Sequence, residues 1–233
     1  MEDSRLREST NARGSQTDLA QAVEYFERSL AIDASYAPAW AGLAFALMNH
    51  AESQTSLEEV LELKRRALEA GEKAVALGPA VASAYVARGY LGAIHDHAWE
   101  KARTDLERAI ALNPGDGEAY HRYGLVLAAQ GRMEDAIAAM SGAVELDPLD
   151  AFGWQRLGIL YNASGRTARA KDVLGRSLEV SPGHVHAGGY LAQSYLLEGK
   201  PREALAVAER SRAHEAFRLL IQASREPRPR DGA

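Results

Sequence analysis

The chain has 233 residues, 46% of them apolar and 25% charged, a balance that supports a folded core and excludes wholesale disorder. With 27 basic against 32 acidic side chains the net charge is −5, so nothing points to nucleic acid or an anionic membrane as a direct ligand. The absence of cysteine excludes disulfides, thiolate metal sites and cysteine nucleophiles together.

Residues 1–16 are polar and carry no apolar period, which predicts a poorly ordered segment or a degenerate first helix rather than a secretory signal. From residue 17 the pattern turns helical: Ala22, Phe26 and Ser29 share one face and lead to Ala34. The nearly unbroken apolar run 36–48 holds 13 residues, short of the roughly 20 that cross a bilayer, and reads as a buried helix around Trp40, Leu43 and Ala44. Ser56 with Glu59 forms a capping box that opens a long second helix through Ala76, and Pro79 follows it.

Beyond this point the chain repeats itself. Pro114, Pro148 and Pro182 lie 34 residues apart, and Gly131, Gly165 and Gly199 fall together on the same ruler, as do Ala136, Ala170 and Ala204. Each unit reads as two helices with a glycine near the middle and a proline after the second. Asp116 and Asp150 stand where a carboxylate caps the first helix of its unit. The unit from Ala82, with Tyr85, Gly89, Ala102 and Leu106, has one extra residue, placed in its central turn near His95, Asp96 and His97. The last unit, 185–213, runs into Phe217, Leu219, Leu220 and Ile221, which predict a capping helix. The tail from Arg225 has no period and is expected to be disordered.

These residues resemble the tetratricopeptide repeat, whose pattern W-x2-L-G-x2-Y, A-x3-F, P is matched by Trp154, Leu157, Gly158, Tyr161, Ala170, Leu174 and Pro182. Tyr120, Tyr123, Gly124, Leu127, Ala136, Met140 and Pro148 match it one unit earlier, and Arg88 departs from it at the usual leucine place. The resemblance implies an all-α right-handed superhelix, an α-solenoid of about five full repeats. A partial N-terminal repeat precedes them, a capping helix follows, and the whole domain spans 17–224. More loosely, residues 23–47, the long second helix after them and the turn HDHAWEKA resemble repeat modules of bacterial winged-helix regulators and adenylate-cyclase-like proteins.

A repeat stack of this kind implies a concave face lined by the first helix of each unit, suited to a peptide or protein segment. Carried over by register, the groove positions are Phe45, Met48, Val86, Tyr90 and Ile94 in an apolar half, and His121, Arg122, Gln155, Arg156 and Tyr190 in a polar half. Arginine presents paired planar donors that fit a carboxylate, so Arg122 and Arg156 point to a partner with an apolar anchor and an acidic group. The alternative for both is a pair of solvated cations matched by local acids such as Glu118.

No constellation supports catalysis. Phosphate loop, nucleophile elbow and zincin motif are all missing, and the pairs His95/His97 and His184/His186 read as turn or groove histidines rather than metal ligands. The sequence therefore predicts a non-enzymatic, cofactor-free, cytoplasmic binding scaffold from a bacterium. A detached regulatory or sensory module is the alternative, and the apolar cluster at 217–221 offers a route to a homodimer.

Overall fold

A computed structural model of the chain describes residues 16–211, and among them every regular element is an α-helix. In chain order these are α1 (Gln16–Ile32), α2 (Ala37–Ser53), α3 (Leu57–Leu77), α4 (Ala82–Asp96), α5 (Trp99–Leu112), α6 (Gly117–Ala129), α7 (Met133–Leu146), α8 (Ala151–Ala163), α9 (Thr167–Val180), α10 (Val185–Leu197) and α11 (Pro201–Arg210). The chain divides into two compact units, Met1–Val126 and Leu127–Ala233. The expectations for residues 1–15, for a capping and dimerising helix at 217–221 and for the tail lie outside the described residues.

In the first unit α2 packs on α1, α3 and α4, and α4 packs on α3 and α5. Leu43, Leu47 and Leu91 fill the space between these helices, while alanines such as Ala44, Ala67, Ala74 and Ala87 let the backbones approach. A second cluster joins Val86, Leu106, Ala109, Ala119 and Val126 of α4, α5 and α6. Ser56 accepts from the Glu59 amide at 3.5 Å, so Ser56 caps α3 through one of the two bonds of the predicted capping box. The helix then runs to Leu77, one residue beyond the expected end.

In the second unit α8 packs on α7, α9 and α10, and α10 on α9 and α11. Asp150 caps α8 through the Phe152 amide at 2.9 Å, and Leu157, Leu160 and Leu174 fill its core. Asn162 reaches from α8 to α10, donating to the Tyr190 carbonyl at 3.1 Å and accepting from the Ser194 hydroxyl at 2.9 Å.

The repeat register is expressed as hydrogen bonds. Trp40 Nε1 donates to the Ala34 carbonyl and Trp154 Nε1 to the Pro148 carbonyl, both at 2.9 Å, and the Tyr85 hydroxyl to the Pro79 carbonyl at 3.1 Å. Each aromatic thus ties the start of its unit to the residue six positions back. At the central turns, Gly131, Gly165 and Gly199 take φ of 76°, 73° and 72°, a region that costs other residues a Cβ clash. The next amide then closes on the carbonyl five residues earlier: Arg132 to Leu127, Arg166 to Tyr161 and Lys200 to Tyr195. In the unit with one extra residue, His97 takes the left-handed place at φ 51° and the Ala98 amide reaches Gly92, six residues back.

Candidate functional site

Three first helices of the first unit, α2, α4 and α6, bring Phe45, Tyr90 and Arg122 together. The Arg122 guanidinium lies 4.0 Å from the centroid of the Tyr90 ring and 5.6 Å from that of Phe45, close enough for attraction between the cation and the ring faces. Its Nε donates to Glu118 Oε1 at 2.6 Å, one turn earlier on α6. This is the favoured order for such a pair, with the acid toward the helix N-terminus. The Arg122 side chain is only 15% exposed, so it is packed among these helices and paired with the local acid Glu118 rather than a solvated cation.

The electrostatics follow from that packing. Burial opposes charge on Glu118, yet Arg122 and His121 beside it more than offset burial and hold the carboxyl at about 2. Burial likewise works against the charge on Arg122, and the neighbouring Glu118 raises its pKa above the ordinary value. His121 is buried, its Nδ1 3.5 Å from Glu118 Oε2, and its Nε2 meets no hydrogen-bond partner among the described residues.

The other groove positions separate by burial. Tyr90 and Ile94 lie one turn apart on α4, the first half-buried and the second 38% exposed. Met48 and Val86, which the register assigns to the groove, are buried in the core clusters, because the adjoining helices close over them. They present almost no surface. In the second unit Gln155 is buried, Tyr190 is half-buried, and Arg156 is half-buried with no carboxylate partner among the described residues.

The tetratricopeptide-repeat family model matches residues 97–151, the span from α5 to the start of α8. Residues 97–151 match the tetratricopeptide repeat. No curated protein matches the sequence. Among solved structures, the thermophilic tetratricopeptide protein TTC0263 of Thermus thermophilus is 24% identical, with a TM-score of 0.65 over 84% of this chain and 100% of that one. YrrB, a tetratricopeptide protein with an unusual peptide-binding site, is 21% identical, with a TM-score of 0.58 over 87% and 100%. The Cut9–Hcn1 hetero-tetramer of the APC/C gives a TM-score of 0.72 at 21% identity, over 90% of this chain but 40% of that one. These likenesses show the fold, a tetratricopeptide α-solenoid.

Within that fold the departures stand out. Arg88 occupies a leucine place and binds the buried Asp105 on α5, a pairing the sequence signalled only through the misplaced arginine. Of the histidines, His184 rests against Phe152 with ring centroids 4.4 Å apart, and His97 meets Trp99 edge-on at 5.7 Å. Among the described residues no three histidine or acidic side chains converge as a metal site, and no helix is long and apolar enough to cross a membrane.

Proposed function

We propose that the chain is a protein-interaction scaffold whose first unit holds a partner segment against the ladder of Phe45, Tyr90 and Arg122. A tetratricopeptide fold supports such a scaffold in general. The observation that carries the finer reading is the stack itself: an arginine drawn from the third first-helix over aromatic rings of the other two. Nε is committed to Glu118 and Tyr90 also bonds the side chain, so a partner carboxylate competes with Tyr90 for the Nη donors. An apolar side chain fits against Phe45, Tyr90 and Ile94, and an acidic group or chain-terminal carboxylate beside it meets the arginine.

Arg156 belongs to the second unit and stands as a separate candidate. Unlike Arg122 it has no carboxylate of its own among the described residues, so a partner acid has nothing to displace there.

Selection of random peptides on the purified protein tests this reading. The expected winners carry a large apolar residue next to Asp, Glu or a free C-terminus. Winners without an acidic group, or binding equally well to a Phe45→Ala, Tyr90→Ala protein, contradict it.

A further inference from the structure

A cavity of about 420 Å³ opens in the first unit between α3, α4 and α5, away from the groove. Arg88 and Gly92 of α4 line it, and each is two residues, about 200° of helix rotation, from a groove residue, Tyr90 or Ile94. Its size falls within the range of small-ligand sites. The floor is apolar, made by Leu68, Leu91, Ala98 and Ala102, with Leu91 and Ala102 belonging to the buried core.

Gly92 sits in the interior of α4 with a negative φ, and a Cβ built there meets nothing within 4 Å. No turn and no close backbone approach requires a glycine at this position. A helix-interior glycine is destabilising relative to alanine, and here what it preserves is open volume at the cavity wall.

The rim carries charge, and its balance is uneven. Asp105 holds two donors of Arg88, Glu72 bridges Arg88 at 3.3 Å and Lys101 at 2.9 Å, and Glu69 pairs with Arg65. Each of these carboxylates is thus engaged by a base. Lys73 is the exception among the lining cations: its ammonium lies 4.5 Å over the Trp40 ring and forms no ion pair among the described residues.

We propose that this cavity binds a small apolar carboxylate, its hydrocarbon part on the floor against Gly92 and its carboxylate on Lys73. A neutral ligand leaves Lys73 unmatched, and a cationic one adds charge to a rim whose acids are already engaged. Such a carboxylate is carried either by a free acid or by the apolar last residue of a protein chain.

The test uses 3-phenylpropanoate as probe, titrated into the full chain and followed by amide chemical shifts and calorimetry. Saturable shifts are expected around Gly92, Ala98 and Lys101. The neutral isostere 3-phenylpropanamide and the Lys73→Gln protein should each bind about tenfold more weakly, as loss of one charge-assisted contact implies. A Cβ at Gly92 meets nothing within 4 Å, so Gly92→Leu starts into open space and should keep the helical circular dichroism and abolish binding. Tyr90→Ala, on the other face of α4, should leave the affinity unchanged, which separates this site from the groove. An acetylated tripeptide ending in free phenylalanine that shifts the same Gly92, Ala98 and Lys101 amides in the Tyr90→Ala protein and binds there more tightly than the acid identifies a chain terminus as the source, and weaker binding there identifies the free acid. Equal affinity for acid and amide, or undiminished binding to Gly92→Leu, overturns the proposal.

Discussion

Arg88 grips Asp105 with two hydrogen bonds, Nε to Oδ2 at 2.8 Å and Nη2 to Oδ1 at 2.6 Å, joining α4 to α5. The Asp105 side chain is 6% exposed, so its charge depends on that partner. Removing one member of a buried pair leaves the other uncompensated, whereas replacing both with apolar groups is close to neutral. Arg88→Leu, which restores the residue type of Leu43 and Leu157 but strands the Asp105 carboxylate, should therefore destabilise the fold by about 3 kcal/mol. Adding Asp105→Ala should recover most of that loss. Urea denaturation of the single and double variants checks this, and a double variant no more stable than Arg88→Leu contradicts it.

Two glycines should respond in opposite directions. Gly165 holds φ of 73° in the turn between α8 and α9, where a Cβ is strained, and Gly165→Ala should cost about 1 to 2 kcal/mol. Gly92 is helical with open space above it, and Gly92→Ala should gain up to about 1 kcal/mol. Thermal melts of the two variants settle the contrast, and a gain for Gly165→Ala sinks the turn assignment.

Much of this architecture was legible because each repeat restates it. The 34-residue spacing of prolines and glycines set out the helix pairs, and Trp40, Tyr85 and Trp154 proved to share one hydrogen bond, each to a carbonyl six residues back. The extra residue expected near His95 to His97 falls in the central turn, and its conformational answer, a left-handed histidine, follows from the missing glycine. The groove was less legible. Register names the positions that face inward but not how far neighbouring helices close over them, so Met48 and Val86, which the register places in a groove, are buried in the core. Pairings also escape register: the Arg122 stack on Tyr90 and the Arg88 grip on Asp105 depend on side-chain reach between helices.

Glu118 should make stability acid-sensitive. Its pKa falls from an ordinary 4.5 to about 2 on folding, so its contribution is fully present above the ordinary value and is lost as pH falls through about 2. The difference in unfolding free energy between the wild type and Glu118→Gln should be on the order of 2 kcal/mol at pH 5 and shrink steadily toward pH 2. Denaturation curves across that window measure it, and a constant difference rules the linkage out.

Arg122→Lys separates the planar stack from charge alone. Lysine keeps the positive charge but loses the flat face on Tyr90 and the forked donors. If charge alone matters, a selected peptide binds this variant as it binds the wild type. The stacked geometry predicts a loss of about tenfold, with circular dichroism unchanged.

The central claim is that partner segments dock on the aromatic and arginine ladder of the first unit, and the affinity of one selected acidic peptide tests it most directly. Calorimetry should show binding weakened well beyond tenfold in Arg122→Ala, since a charge-assisted contact in a partly buried site is worth about 2 to 5 kcal/mol. Tyr90→Ala, which removes the ring beneath the guanidinium, should fall in the same direction. Unchanged affinity in both variants, with their helical content intact, would contradict the claim and place the binding surface elsewhere on the chain.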